Sequence, residues 1–399
     1  MTGATPLPAG ELAAWPGPLA GGAQPLRWAV VDVAALRRNA AAVAALVGPG
    51  CEVMAMVKAN AYGHGARLAA RALLDGGVGR LGVSSAEEAL QLRDAGFNVP
   101  LLVVGWTHPT THAALVGAGV EVTVFDVDTM RSLVAAARRL ERPVRAHLKV
   151  DTGMGRLGAA PEAVAGLLAE LRSLRSHVEL AGVFTHFADA DGSDPNFTAE
   201  QHARFVAVVD HVRDGHPDAL VHCSNSAAML RFAAMNHDLV RPGLVLYGHE
   251  PAHCEGVIEV EAALSMLASI TRVFTVRRGE TVGYNRTWQA PADTRIAAVA
   301  AGYADGVQRA QSNCGHVLVH GVRCPIVGTV SMDQLTADVS AVEAVATGDV
   351  AVVLAGGRAH RGLLDAAAVA RAARTSAYEV LCGVSARVPR YMVGGGTVH

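Results

Sequence analysis

The N-terminal two thirds of the chain alternates regularly between two kinds of segment. Short apolar or β-branched runs, bounded by Gly or polar residues, are followed by Ala-, Leu- and Arg-rich segments with helical periodicity. The predicted strands lie near Glu52–Lys58, Arg80–Ser84, Pro100–Gly105, Glu121–Phe125, Val144–Val150, Glu179–His186, Ala219–Cys223 and Leu239–Tyr247. The predicted helices between them include Ala66–Leu74, Ala86–Ala95, Thr129–Leu140, Pro161–Ser173 and Thr198–Val212. Eight strand-then-helix units predict an α/β fold, a parallel (β/α)8 TIM-type barrel, whose usual length is about 250 residues.

An open doubly wound sheet is the competing topology for such an alternation. It needs a Gly-rich turn after the first strand, and no G-x-G-x-x-G motif lies there, so the barrel is favoured. After Pro251 strand-like runs dominate, and one helical stretch interrupts them, which predicts a mainly β C-terminal domain. These runs are Ser269–Val276, Arg295–Ala301, Val317–His320, Pro325–Val330 and Val350–Leu354, with the helix at Leu363–Arg374. The predicted limits are 1–26 for a flexible N-terminal extension, 27–250 for the barrel and 251–399 for the β domain.

Composition narrows the class of protein further. A length of 399 residues favours two domains, and a net charge of −2 gives no electrostatic footprint for nucleic acid or an anionic membrane. The apolar runs are shorter than the roughly 20 residues of a membrane span, and the N-terminus lacks a secretory pattern. The six cysteines are scattered without zinc spacing, so no metal site is predicted and a reducing, cytoplasmic location is expected.

Reactive side chains follow several of the predicted strands. In a barrel of this type, the chemistry lies at the carboxyl ends of the strands, so residues after different strands meet at one face. Five clusters have this position: residues 58–65, 149–156, 185–187, 223–226 and 241–243. A lone lysine such as Lys58 would more often be a surface residue that extends its amine to water. The buried-strand pattern before it and the glycines after it instead favour an imine-forming amine, whose pKa burial would lower.

At these residues the sequence resembles the alanine racemase family, a barrel-type class of pyridoxal-phosphate enzymes. The resemblance runs from Trp28 to Val393. The matching stretches are residues 56–65, 148–158, 241–243, 302–306 and 331–334. Their order and spacing together are far more specific than any one of them alone.

The resemblance implies a role for each matched position. Lys58 would carry pyridoxal 5'-phosphate through its amine. The residues implied around the cofactor phosphate are Tyr62, Ser224, Ser226, Gly243, Leu244 and Tyr378. Hydroxyls and backbone N–H groups suit that task, because they donate to oxyanions without bulk. For Ser224 and Ser226, helix capping is the alternative interpretation.

The resemblance also implies a set of charged groups beside the cofactor and substrate. Arg241 would face the pyridine nitrogen, with His186 beside it. Arg156 would bind the cofactor's phenolic oxygen and position the substrate carboxylate, and Lys149 would be carbamylated to orient Arg156. Without the resemblance, Arg241 could be a surface ion pair and His186 a satisfied core histidine.

Racemisation needs a proton removed from one face of Cα and returned on the other, which two opposed groups do with little motion. Lys58 would serve one face and Tyr284 the other. The resemblance implies that Tyr284, Met332 and Asp333 reach the site from the partner in a homodimer. The implied function is interconversion of L- and D-alanine, which supplies D-alanine for peptidoglycan. Without the resemblance, Tyr284 could equally be a core or interface tyrosine.

Two matched positions depart from the family pattern. Asn285 stands where the family usually has glycine, and Ser331 where cysteine is frequent. Three rival functions come into question, and only the first of them is hard to exclude. A broader-specificity or serine racemase would differ in a few pocket side chains. A decarboxylase with the same cofactor would place a carboxylate, rather than Arg241, at the pyridine nitrogen. A non-catalytic pyridoxal-phosphate carrier would lack the second domain.

Overall fold

The structure, a computed structural model, describes residues 25–358 and 361–394. The predicted flexible extension, residues 1–26, therefore lies almost wholly outside the described residues. The described chain forms two compact units. One contains residues up to 35, residues 62–65 and the chain from 261 onward; the other contains residues 36–61 and 66–260. The predicted domain limits stay a prediction.

The first strand, β1 (Arg27–Asp32), belongs to the sheet of the C-terminal unit. The next eight strands form one all-parallel sheet in the order β8-β7-β6-β5-β4-β3-β2-β9. Their bounds are β2 Glu52–Met56, β3 Arg80–Val83, β4 Leu101–Val103, β5 Glu121–Val124, β6 Val144–Lys149, β7 Val178–Phe184, β8 Leu220–His222 and β9 Leu239–Val240. Helices lie between the strands: α1 Val33–Val47, α2 Ala66–Asp75, α3 Ala86–Asp94, α4 His112–Gly117, α5 Val127–Arg139, α6 Val164–Ser173, α7 Asn196–Arg213 and α8 Ser226–Arg231. Single 3-10 turns are Pro109–Thr111, Pro161–Ala163, Ala233–Met235, Leu244–Tyr247, Tyr284–Arg286 and Arg309–Gln311.

The sheet closes into a barrel between its first and last strands. The Arg241 N–H donates to the Ser224 carbonyl at 2.9 Å, and the Asp238 N–H donates to the Val221 carbonyl at 3.1 Å. The barrel predicted from the sequence is thus confirmed. The predicted last strand, however, is too long. It ends at Val240, because Pro242 has no N–H to donate and the chain then turns into a 3-10 helix.

Short polar caps begin several helices soon after the strand that precedes them. The Ser85 hydroxyl accepts from the Glu88 N–H, the Asp126 carboxylate accepts from the Thr129 N–H, and Asn225 caps α8. Such caps satisfy N–H groups that have no partner within the helix. They fix where each loop ends, and so they position the residues that follow the strands.

The C-terminal unit is built on a second sheet, with strand order β15-β14-β17-β10-β1-β18, with β13 paired to β10 and with β16 paired to β13. Its strands are β10 Leu264–Val276, β11 Thr281–Val282, β12 Trp288–Gln289, β13 Thr294–Val299, β14 His316–Val319, β15 Val322–Pro325, β16 Leu335–Asp338, β17 Val350–Leu354 and β18 Arg390–Val393. Its helices are α9 Ala366–Ala373 and α10 Ala377–Gly383. The prediction of a mainly β C-terminal domain is confirmed.

One predicted strand of this unit is wrong. Instead of a strand over Pro325–Val330, β15 ends at Pro325 and only an isolated bridge from Ile326 to Ala337 continues it. The pairing strand β16 was not predicted, because Leu335–Asp338 is too short to show a clear alternation. None of the helices within residues 25–358 and 361–394 combines the length and apolar character that a bilayer crossing needs.

Candidate active site

Lys58 directly follows β2 and opens an unusual backbone segment. Residues 59–61 have φ values of 51, 53 and 54°, in the left-handed region that costs a residue with a Cβ roughly 1–2 kcal/mol. Glu88 offsets this cost, since its carboxylate accepts from the Ala59 N–H at 2.6 Å and from the Ser84 N–H at 2.8 Å. Local strain of this kind is concentrated at functional sites. The Lys58 side chain is half-buried.

Arg241 is a buried cation after the last barrel strand, only 4% exposed. Its Nη1 donates to Nδ1 of His222 at 2.8 Å, and its Nη2 donates to the Thr185 carbonyl at 2.7 Å and to the Cys223 carbonyl at 3.2 Å. Nη2 also lies 3.3 Å from Nδ1 of His186. Burial lowers the pKa of Arg241 to about 10, which still leaves it charged at neutral pH.

A chain of buried hydrogen bonds continues from Arg241 through the barrel interior. Nε2 of His222 lies 2.9 Å from Nδ1 of His147, and Nε2 of His147 lies 3.1 Å from the Glu121 carboxylate. A guanidinium can only donate and an ionised carboxylate can only accept, so both ends fix the direction of the chain. Each imidazole therefore accepts at Nδ1 and donates from Nε2. Burial lowers the pKa of both histidines, which keeps the two rings neutral.

Glu121 ends this chain near the amino ends of the strands. It is 3% exposed, and its carboxylate accepts from Arg80 Nη1 at 3.2 Å and from Arg145 Nε at 3.0 Å. Burial alone would raise the pKa of Glu121, but His147 and the two arginines outweigh it and hold that pKa at about 2. The chain thus joins a buried cation at one face of the barrel to a buried carboxylate near the other.

Lys149 ends β6 in a positively charged environment and is 6% exposed. Burial, followed by the charges of Arg241 and Arg156, lowers its pKa to about 8, and Lys58 acts in the same direction. Burial and the same cations hold the pKa of His186 well below its usual range. Five predicted site residues thus share one electrostatic environment. They are Lys58, Lys149, Arg156, His186 and Arg241.

The loop that carries Arg156 is shaped around Asp151. One carboxylate oxygen accepts from the N–H groups of Gly153, Met154 and Gly155 at 3.0, 2.8 and 3.1 Å, and the other accepts from the Arg156 N–H at 3.2 Å. Burial alone would raise the pKa of Asp151, but these four N–H groups lower it. The Arg156 side chain is exposed, so the loop fixes its backbone and leaves the guanidinium free to approach a ligand.

Ser224, Ser226, Gly243 and Leu244 lie together where the last two barrel strands end. The Ser226 hydroxyl accepts from the Gly243 N–H at 2.9 Å, and the Ser224 hydroxyl donates to the Met235 carbonyl at 3.0 Å. Asn225, rather than either serine, caps α8. Helix capping therefore does not explain these two serines.

Tyr62 and Tyr378 belong to the C-terminal unit, where their ring centroids are 6.0 Å apart. Tyr62 is buried, and that burial raises the pKa of its hydroxyl, whereas Tyr378 is 40% exposed. Gly63 next to Tyr62 has a φ of 81°, and a Cβ there would lie 2.1 Å from the Leu381 carbonyl oxygen. Only glycine fits this close approach, which brings residues 62–65 against α10.

Tyr284, Met332 and Asp333 also lie on the C-terminal unit, and all three are exposed in the single chain. Tyr284 is 69% and Met332 53% exposed, and the Asp333 carboxylate accepts from Arg387. Asn285 has a φ of 59°, a conformation that favours glycine and that asparagine tolerates better than most residues. Its substitution for the family's usual glycine therefore preserves the turn that presents Tyr284.

Sequence reasoning missed the buried chain of His222, His147 and Glu121. A signal for it was present in β6, where Arg145, His147 and Lys149 alternate with apolar residues and so share one side of the strand. Sequence reasoning also overlooked a signal that marks positions 58 and 149 as special. Lys58 and Lys149 are the only two lysines of the chain.

The family model for the alanine racemase N-terminal domain matches residues 31–251, and the model for the C-terminal domain matches residues 263–392. The alanine racemase of Desulforamulus reducens is 39% identical over 92% of this chain and 99% of its own length. The chain belongs to the alanine racemase family. The resemblance drawn from its motifs is thus confirmed.

Solved structures of the family have the same fold. The alanine racemase of the D-cycloserine producer Streptomyces lavendulae superposes with a TM-score of 0.87 at 35% identity, covering 92% of this chain and 97% of the other. The Bacillus anthracis alanine racemase, solved with bound L-Ala-P, has a TM-score of 0.86 at 32% identity over 93% of this chain and 96% of its own.

Proposed function

We propose that this chain is an alanine racemase that interconverts L- and D-alanine with pyridoxal 5'-phosphate. The observation that carries the proposal is the group of basic side chains at the carboxyl ends of the barrel strands. There Lys58 lies close enough to Lys149 and His186 to shift their pKa values, and Arg241 is buried beside them. Because the chain belongs to the alanine racemase family, we propose alanine as its substrate.

The charge of this group fits an anionic cofactor and substrate. Three cations lower the pKa of Lys149, and the Asp151 carboxylate opposes them. A phosphate and a carboxylate would balance that excess of positive charge. Lys58 would hold the cofactor by its amine, with Arg241 toward the ring nitrogen and His186 beside the ring. The hydroxyls and N–H groups proposed for the phosphate belong to Tyr62, Ser224, Ser226, Gly243, Leu244 and Tyr378.

Arg241 favours racemisation over decarboxylation. When bound, pyridoxal phosphate supplies a conjugated ring that withdraws electrons from Cα and makes its proton acidic. A fixed guanidinium at the ring nitrogen disfavours protonation there, so the ring withdraws electrons less strongly than it would beside a carboxylate. The hydrogen bonds to His222 and to two backbone carbonyls hold this guanidinium in place.

Two groups would move the proton. The Lys58 amine would serve one face of Cα, and the Tyr284 hydroxyl of a partner subunit would serve the other. The exposure of Tyr284 and Met332 in the single chain supports a homodimer that covers them. The Met332 backbone and Asp333 would then lie near the substrate carboxylate, which Arg156 would position.

Lys149 is proposed to carry a carbamate. Its lowered pKa leaves an appreciable fraction of the amine unprotonated at pH 8, and only that form adds to CO2. As the N–C bond forms, the nitrogen releases one proton to solvent. The carbamate would then be an anion beside several cations, and it would orient Arg156. A cytoplasmic location and a supply of D-alanine for peptidoglycan complete the proposal.

The test is chiral analysis of alanine and of a panel of other amino acids after incubation with the holoenzyme. Equal amounts of L- and D-alanine from either pure enantiomer are expected. Faster turnover of serine than of alanine would instead identify the broader-specificity racemase, and no turnover with bound cofactor would indicate a carrier.

The roles of the two bases are tested by Tyr284→Phe in deuterium oxide. This variant should retain the cofactor and lose proton exchange from L-alanine, with Tyr391→Phe as the control that retains both. Undiminished racemisation by Tyr284→Phe in both directions would refute the role of its hydroxyl.

A further inference from the structure

A cluster of metal-ligating side chains lies between a helix and two loops of the barrel, separate from the catalytic groups proposed above. It consists of His202 on α7, Cys223 after β8 and His237 before β9, and we call it the His-Cys-His cluster. The potential ligand atoms all lie within 4.8 Å of one another, and the two Nε2 atoms are 2.9 Å apart. Cys223 is buried and both histidines are half-buried.

Two imidazoles and one thiol form a ligand set that suits zinc and other borderline-soft ions. Tetrahedral Zn²⁺ with usual bond lengths needs about 3.4 Å between two nitrogens and about 3.6 Å between nitrogen and sulfur. The imidazole pair would therefore open by about 0.5 Å, and the thiol, within 4.8 Å of both nitrogens, would approach them by up to about 1.2 Å. Three protein ligands leave one tetrahedral position for water.

We propose that His202, Cys223 and His237 form a binding site for Zn²⁺ or a similar ion, with water as the fourth ligand. Nothing in the sequence spacing indicates this site, because its ligands come from three elements that only the barrel brings together. The site does not depend on the proposed racemase function.

The charged side chains beside His237 form an ion pair of their own. Asp238 and Arg213 pair with each other at 3.0 Å. An ion at the cluster would therefore meet a carboxylate and a guanidinium that already compensate each other's charge.

Metal binding has a defined proton balance. The Cys223 thiol, which now donates to the Met235 carbonyl at 3.0 Å, must release its proton to solvent to become a ligand. In the histidine pair one ring donates from Nε2, so that ring must move its proton to Nδ1 before it can bind through Nε2. One proton per ion is thus released in total.

An ion at this cluster would link helix α7 to Cys223 after β8 and to His237 before β9, next to the proposed active site. The Cys223 carbonyl accepts from Arg241 at 3.2 Å, and the following residue is Ser224. A ligand that binds only the folded state stabilises it. We therefore expect Zn²⁺ to raise the unfolding temperature of the holoenzyme.

The experiment uses Co²⁺ as a spectroscopic substitute for Zn²⁺ in the chelator-treated holoenzyme. One Co²⁺ per chain is expected, with tetrahedral d–d bands in the red, where the cofactor does not absorb, and with a thiolate-to-cobalt charge-transfer band. Zn²⁺ should displace it, and calorimetry in buffers of different ionisation enthalpy should report release of about one proton per ion.

Variants decide which groups are the ligands. Cys223→Ser, His202→Gln and His237→Asn should each weaken Co²⁺ binding by more than about 100-fold. Asparagine at 237 retains the left-handed backbone, whose φ is 49°. Two substitutions of the same residue types at exposed positions, Cys314→Ser and His211→Gln, are matched controls that should bind normally.

Several results would overturn the proposal. Absence of the d–d bands in the unaltered protein would show that the two histidines form only a hydrogen-bonded pair. Bands that persist in Cys223→Ser, or that the control substitutions abolish, would place the ion elsewhere.

Discussion

Replacement of Lys149 by methionine tests whether a buried amine close to other cations destabilises the folded state. Methionine retains the length of the side chain and removes the charge. Lys149 is 6% exposed, and its pKa falls from 10.5 to about 8 through burial and the charges of Arg241 and Arg156. Because its folded-state pKa lies below the unfolded value, its charged form destabilises the fold.

The magnitude follows from the shift in pKa. A change from 10.5 to about 8 corresponds to about 3 kcal/mol at 1.36 kcal/mol per unit. Below pH 8 both states bind the proton and the whole penalty is present. Between pH 8 and 10.5 only the unfolded state binds it, so the free energy of unfolding rises with pH. Lys149→Met should therefore raise the free energy of unfolding at pH 7 by roughly 2–3 kcal/mol.

If Lys149 carries the proposed carbamate, its side chain stabilises the fold instead of destabilising it. The assay therefore compares two conditions. Urea unfolding of the holoenzyme at fixed protein concentration is compared in decarbonated buffer and in bicarbonate buffer. Lys149→Met should be the more stable protein without CO2, and the unaltered protein should gain stability with it. A ¹³C-carbamate resonance that is present in the unaltered protein and absent from Lys149→Met would identify the modified residue.

A matched control is Arg145→Met, on the same strand. Arg145 pairs with Glu121 at 3.0 Å and with Glu179 at 2.5 Å, so its loss should lower the free energy of unfolding in both buffers. If Lys149→Met were less stable than the unaltered protein in decarbonated buffer, the electrostatic reasoning would be wrong.

Two further substitutions test the buried hydrogen-bond chain by urea unfolding. The pKa of Glu121 is lowered from 4.5 to about 2, so its stabilisation is complete above pH 4.5 and is lost as the pH falls toward 2. Glu121→Gln should lower the free energy of unfolding at pH 7 by roughly 2–3 kcal/mol and should flatten this acid dependence; an unchanged profile would contradict it. A Cβ at Gly182 would lie 2.4 Å from Nδ1 of His147, so Gly182→Ala should destabilise by more than about 1 kcal/mol. Gly166→Ala, on helix α6 with open space around its Cβ, should instead stabilise by up to about 1 kcal/mol, and equal effects of the two changes would refute the packing argument.

Periodicity predicted the barrel well, because its strands are mostly buried and seven of the eight are followed by an α-helix. It failed where a single residue ends a strand earlier than the apolar pattern predicts. The apolar run after Leu239 continues to Tyr247, but Pro242 cannot join the ladder, and the strand stops at Val240. The short strand β16 depends on its partner β13 rather than on its own pattern, so no single-segment reasoning would have found it.

The candidate site was predicted from the reactive residues that lie at the ends of the barrel strands. Parallel strands of a barrel point their carboxyl ends to one face, so Lys58, Lys149 and Arg241 had to meet there. Side chains inside the barrel were harder to predict. The position of His147 shows that it faces the same side as Lys149, but the length and direction of the chain to Glu121 depend on the register between strands.

The use of lysine in this chain carries an argument of its own. Lys and Arg total 34, and only Lys58 and Lys149 are lysine, both at strand ends on one barrel face. Arginine supplies the other cations, including Arg80 and Arg145 beside the buried Glu121 carboxylate. A guanidinium stays protonated, whereas a buried amine can lose its proton and act as a nucleophile. Of the two lysines, Lys149 has a lowered pKa, so its charge is more easily removed than that of a guanidinium at the same position would be.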